Sequence, residues 1–289
     1  MIPSAFAYER AESVDHAIRL LQAAGSDAKL IAGGHSLLPV MKLRLATPQT
    51  IVDLGRIEEL KKIVEGVDEV VVGALATYAR VTRDPLVLEK IPLLAEVART
   101  VGDIQVRNRG TIGGSIAHAD PAADVPAVAI ALDATIHAAT PEGPASFTMD
   151  EFVIGPLTTS LPENSLVTSI AFSVPPDGAR TAYEKFSHPA SGYAVVGVAA
   201  VLRVTEGAID YARVAITGAG DLAYRAHAVE RALLGRPAND ESLRAAAACA
   251  AQDGEMAEDL FASSPYRAHL CQVYTLRALR RLPVDEGFA

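Results

Sequence analysis

At 289 residues the chain is long enough for two or three compact units that each bury a core. Half of its residues are hydrophobic and none is Trp, while a net charge of −9 with unclustered Lys and Arg argues against a nucleic-acid surface. No run of about 18 apolar residues exists to span a membrane, and two cysteines, Cys249 and Cys271, are too few for an iron–sulfur cluster or a tetrahedral zinc site.

The opening residues lack a basic start followed by an apolar core, so no secretory signal is expected and the chain reads as reduced and cytoplasmic. Ser13 is placed to cap a first helix, because Val14, Ala17, Ile18 and Leu21 make one apolar stripe before Gly25 ends it. A strand over Lys29–Ile31 leads into a first glycine segment, Ala32-Gly33-Gly34-His35-Ser36, and then a short helix over Leu37–Leu43. A strand over Thr50–Leu54 completes a small lobe, residues 1–58. In a second lobe, 59–177, the pattern predicts a strand over Glu69–Val72, a helix capped by Thr77, and a helix from Pro92 to Val101. The second glycine segment, Thr111-Ile112-Gly113-Gly114-Ser115-Ile116-Ala117, follows. A helix over Asp124–Leu132 and strands Thr135–Ala139 and Leu166–Val174 close the lobe, and Pro175-Pro176-Asp177-Gly178 reads as a linker. Residues 178–289 predict a β-meander through Ala194–Val204 and Tyr211–Thr217, then helices Ala226–Leu234, Glu241–Ala251 and Pro265–Arg281. The whole is an α+β fold: two lobes, plus a C-terminal domain with a three-stranded sheet backed by helices.

The glycine segments carry the chemistry. Each follows a short β-branched stretch and opens towards a helix, so its amides can approach an anion that a Cβ would obstruct. Two such segments suggest a pyrophosphate gripped from both sides, hence a dinucleotide. Neither fits the triphosphate loop or the Gly-x-Gly-x-x-Gly nicotinamide pattern. Asp124 reads either as a helix N-cap or as an acceptor for a sugar hydroxyl. No Ser-His-Asp order, His-x-x-x-His or Cys-x-x-Cys stands out, so no residue is assigned a catalytic role and no metal is expected in this chain.

These two segments resemble the flavin-binding signatures of the FAD subunits of the molybdenum hydroxylases. The resemblance runs over essentially the whole chain. Within that family Met1-Ile2-Pro3, the run from Ala32 to Pro48 and the chain length are most similar to the medium-subunit branch of the aerobic carbon monoxide dehydrogenases. It implies an FAD domain of the p-cresol methylhydroxylase type over 1–177, a C-terminal flavoprotein domain, and FAD held non-covalently. Ala32, Gly33, Gly34, His35 and Ser36 would contact one phosphate, and Thr111, Gly113, Gly114 and Ser115 the other, although relatives often carry Asn where Ser115 stands. Thr77 matches a third flavin contact, Asp124 a ribose or ribityl contact, and Val167 an apolar contact with the ring. Lys185 matches a lysine near the ring, where a cation would stabilise negative charge at N1–C2=O, and Tyr193 an aromatic shield. The structural alternatives are an N-cap at Thr77, an exposed strand lysine at Lys185 and a core tyrosine at Tyr193.

The implied partners are a small subunit with two [2Fe-2S] clusters and a large subunit with the molybdenum cofactor, in a dimer of heterotrimers. Electrons from the clusters would pass through the FAD to a quinone or NAD; a quinone would require peripheral docking at the inner face of the membrane. Three readings compete with carbon monoxide oxidation. One is a xanthine, aldehyde or aromatic-substrate hydroxylase of the same family. Another is a free-standing flavoprotein oxidase with covalent flavin at His35, and the last a dinucleotide-binding sensor.

Overall fold

The computed structural model describes residues 2–282; Met1 and 283–289, the outer ends of the two expected domains, lie outside that range. The first lobe contains β1 (Ala7–Arg10), α1 (Val14–Ala24), β2 (Ala28–Ile31), α2 (Leu37–Lys42) and β3 (Thr50–Asp53). Helix α1 forms for the expected reasons: Ser13 Oγ accepts from the His16 amide at 3.1 Å, and Ala17, Ile18 and Leu21 are buried. Strand β3 lies between β1 and β2 and runs parallel to both. The loop after β2 therefore emerges at the carboxyl edge of a parallel sheet, where ligands of open α/β sheets bind. Strand β1 escaped the sequence reading because all four of its residues are exposed and give no apolar pattern.

The second lobe runs through β4 (Ile63–Glu65), β5 (Glu69–Gly73), α3 (Tyr78–Val81), α4 (Pro85–Lys90), α5 (Pro92–Thr100), α6 (Ile104–Arg109), α7 (Ile112–His118) and α8 (Val125–Ala131). It continues with β6 (Thr135–Thr140), β7 (Gly143–Thr148), α9 (Met149–Phe152), β8 (Val153–Gly155), β9 (Thr158–Thr159) and β10 (Leu166–Ser173). Its main sheet is antiparallel, in the order β4-β5-β10-β6-β7. Every residue of α8 is buried, because this helix packs against α5 on one side and the C-terminal sheet on the other.

The last third comprises β11 (Arg180–Ser187), β12 (Ala194–Thr205), β13 (Ala208–Thr217), β14 (Tyr224–Arg225), α10 (His227–Leu233), α11 (Asp240–Ala247) and α12 (Ser264–Arg281). The expected three-stranded sheet has a fourth strand, since the two-residue β14 pairs with β13 at the edge. Strand β12 is buried continuously from Ala194 to Leu202, which requires cover on both faces. Ala199 and Val201 join the second-lobe core, whereas Val198 and Ala200 join the core beneath α10 and α12. Asp133 meets Arg213 at 2.9 Å and Arg225 at 2.7 Å, and Arg281 meets Glu96 at 2.6 Å, so polar contacts tie this domain to the second lobe. No helix among the described residues is long and apolar enough to cross a membrane.

Candidate functional site

The first glycine loop has open amides. From Ala32 to Leu37 no backbone N–H donates to any described residue; the first bond of the helix is Leu38 N–H to Gly34 O at 3.0 Å. A run of unpartnered N–H groups at a helix start concentrates partial positive charge and suits an anion. Gly33 is fixed by crowding. A Cβ there would collide with the Arg109 carbonyl oxygen and stand 2.9 Å from Gly110 Cα, so only glycine lets the first loop lie against the approach to the second. The His35 ring folds back: Nδ1 lies 3.0 Å from Gly33 O, and a carbonyl only accepts, so Nδ1 carries the hydrogen.

The second glycine segment is built differently and corrects the expectation of matching amide pockets. Gly113 N–H donates to Ala74 O at 3.0 Å, Ser115 N–H to Thr111 O at 3.1 Å, and Gly114 N–H to Thr111 Oγ1 at 3.1 Å. These amides are consumed because Ile112 begins α7 directly, with Thr111 as its N-cap. Gly113 is required by packing, since a Cβ would meet the Ala74 backbone, its Cα at 2.6 Å. What the segment offers a ligand is side chains. Thr111 and Thr77 are bridged backbone to backbone, and each caps a helix, Thr77 Oγ1 accepting from Arg80 N–H at 3.2 Å. Each hydroxyl keeps its own hydrogen to donate.

Asp124, Lys185 and Tyr193 converge, but the first two are not free ligand groups. Asp124 does not cap α8; its backbone is already helical and its carboxylate turns inward. Tyr183 OH donates to Oδ1 at 2.5 Å, and Lys185 Nζ to Oδ2 at 3.1 Å. Burial pushes the Asp124 carboxyl up from the usual carboxylate range, while Lys185 and Tyr183 oppose that rise. Lys185 is not an open cation: its remaining hydrogens go to Thr100 O and Gly192 O, each at 3.1 Å, and its side chain is buried. Tyr193 is 43% exposed, so the core-tyrosine alternative fails for it. Val167 lies within the second-lobe core on β10.

Tyr78 was missed by the sequence reading and sits at the centre of the cluster. Its ring packs on Gly110 and its amide donates to Gly110 O at 3.1 Å. Burial pushes its phenol up to about 12, the Ser115 side chain opposes this, and Asp124 and Tyr193 add to it. Only its position after Thr77 hints at this role, because an aromatic starting a short helix is ordinary core material. Tyr193 also lines a cavity of about 320 Å³ with Asp120 and Arg267. A second cavity, about 390 Å³, is lined by Val14, Leu60 and Gly73, and neither cavity has residues of the two glycine segments on its wall. No group of three or more His, Cys, Asp or Glu that could hold a metal ion occurs among the described residues.

Residues 4–175 match the FAD binding domain in molybdopterin dehydrogenase, and residues 181–282 match the CO dehydrogenase flavoprotein C-terminal domain. The carbon monoxide dehydrogenase medium chain of Hydrogenophaga pseudoflava is 40% identical over 96% of this chain and 97% of its own length. The glyceraldehyde dehydrogenase medium chain of Sulfolobus acidocaldarius is 37% identical over 98% of this chain and 100% of its own. A solved structure of the Hydrogenophaga pseudoflava carbon monoxide dehydrogenase, in a form lacking the Mo-pyranopterin moiety of its molybdenum cofactor, superposes with a TM-score of 0.93 at 42% identity. That match covers 97% of this chain and 98% of the other.

Proposed function

The chain belongs to the family of molybdopterin-dehydrogenase FAD-binding subunits, and from that premise we propose that it is the FAD-carrying electron-transfer subunit of a heterotrimeric molybdenum hydroxylase. In this reading it takes electrons from [2Fe-2S] clusters of a small partner subunit, itself supplied by a large molybdenum-cofactor subunit, and delivers them to an external quinone or NAD. The observation that carries the reading is the run of amides from Ala32 to Leu37 with no partner among the described residues, pressed by Gly33 against the Arg109–Gly110 backbone.

The residues fit FAD unequally along its length. The amides of Gly33, Gly34, His35 and Ser36 would hold the pyrophosphate, and the hydroxyls of Thr111 and Thr77 would donate from the opposite lobe. The Ser115 side chain, which interacts with the Tyr78 phenol, would add a contact on that side. Tyr193 is exposed enough to lie against the ring. FAD, when bound, stores two electrons between a one-electron donor and its acceptor. The protein supplies binding, orientation and a fixed electrostatic setting.

Carbon monoxide is the substrate favoured for the assembled enzyme, because a carbon monoxide dehydrogenase medium chain is 40% identical to this one and a carbon monoxide dehydrogenase also matches in structure. The 37% identity to a glyceraldehyde dehydrogenase medium chain supports a second reading, an aldehyde-oxidising partner on the same FAD subunit. The purified chain titrated with FAD tests the first step. Saturable, stoichiometric binding with the flavin released by acid is expected, and a chain that takes up no FAD would contradict it. Co-purification with metal analysis tests the assembly, and the oxidation rates of carbon monoxide and glyceraldehyde by the complex separate the two substrates.

A further inference from the structure

The Asp124–Lys185 pair is electrically closed and mechanically connected. Both side chains are 6% exposed, so a buried charge faces a buried countercharge and neither acts outward as a free ion. Lys185 uses its three hydrogens on three different elements: the carboxylate at the head of α8, the last carbonyl of α5, and the carbonyl of Gly192. That last carbonyl belongs to the peptide that carries the Tyr193 amide. The turn it sits in is closed on itself, since His188 N–H donates to Tyr193 O and Gly192 N–H to His188 O, both at 2.8 Å. Gly192 thus cannot shift without carrying Tyr193 with it. In the same cluster Tyr78 and Tyr183 are buried, and Tyr193 alone presents its ring outward.

We propose that Asp124 and Lys185 are positioning residues: their ion pair pins the 188–193 turn to the second lobe and holds Tyr193 as a fixed wall of the cofactor cleft, and the pair acts on the flavin only through Tyr193. The inference rests on the reading that FAD occupies this cleft. It replaces a lysine charge aimed at the ring with a neutral strut joining two domains.

A double-mutant cycle on the full chain tests it, reading the FAD dissociation constant, the visible circular dichroism of the bound flavin and its reduction potential. Asp124→Asn with Lys185→Met removes both charges together and leaves no unpaired ion. This neutral pair and Tyr193→Ala are each expected to weaken FAD binding about tenfold and to change the flavin's dichroism alike, and combining them adds less than about twofold. Independent effects would reach about a hundredfold in the combination. That result, or a shift in reduction potential caused by the neutral pair when Tyr193 is already Ala, would overturn the proposal. Lys185→Arg keeps the charge and alters its reach, and supplies the same cycle should the neutral pair fail to fold. A wild-type chain that binds no FAD would remove the FAD reading itself; normal binding with a multiplicative cycle would remove only the pin.

Discussion

The two glycine segments read alike in sequence and differ in what their backbones have left to give. In the first, the amides from Ala32 to Leu37 have no acceptor among the described residues. In the second, the amides of Gly113, Gly114 and Ser115 already serve α7 and its contact with Ala74. One loop is a cradle and the other a strut with hydroxyls on its end. The difference follows from where each helix starts. Thr111 leads straight into Ile112, so its hydroxyl and carbonyl absorb the free donors, whereas the first loop spends four residues after Ala32 before α2 begins.

The sharpest way to break this comparison is one methyl group placed in each loop. Gly33→Ala sets a Cβ on the Arg109 carbonyl and should cost FAD affinity about a hundredfold, the equivalent of about 3 kcal/mol, in a fluorescence titration. Gly113→Ala sets its Cβ on the Ala74 backbone and should instead cost up to about 3 kcal/mol of stability with no FAD present, read from urea unfolding. Equal loss of ligand in both variants would erase the distinction.

Alkaline titration probes the strut side. The Tyr78 phenol is held up to about 12 by burial, so the folded chain keeps a proton that the unfolded chain releases above pH 10. Stability should therefore be independent of this group below pH 10 and fall by up to about 1.4 kcal/mol per pH unit between 10 and 12. Tyr78→Phe should reduce that slope in unfolding measured across the range, although Tyr183 and Tyr224, also pushed up by burial, will keep part of it. A slope unchanged by the substitution would contradict the buried placement of Tyr78.

A smaller effect is expected at the cap. Thr111→Ala should lower stability by about 1 kcal/mol through the loss of the Gly114 N–H acceptor, with a several-fold loss of FAD affinity, and Thr111→Ser should restore both. Ser13→Ala, at the cap of α1, should lose similar stability and no FAD affinity. His35→Ala should be the mildest, changing FAD affinity less than about threefold, because its Nδ1 is turned onto Gly33 O. Flavin retained in an acid pellet of the wild-type chain would show a covalent bond and contradict this.

Much of the fold was legible in sequence because its signals are local. The Ser13 cap, the Gly25 stop and Pro92 opening a helix are each decided within a few residues. Strands β1 and β14 were not legible, since one is wholly exposed and the other has two residues. The site divides in the same way. Glycine doublets announced that backbone comes close to something, but not whether that something is a ligand or Ala74. For Asp124 and Lys185, sixty-one residues apart, nothing local records that each answers the other. A charge that looks available in sequence is available only if no partner has claimed it in the fold.

Amide hydrogen exchange with and without FAD reads the central claim directly. The account predicts that the amides from Gly33 to Leu37 exchange quickly in the free chain and become strongly protected when FAD is added, while Gly113, Gly114 and Ser115 are protected in both states. Protection gained at Gly113 to Ser115, with the first loop unchanged, would contradict it.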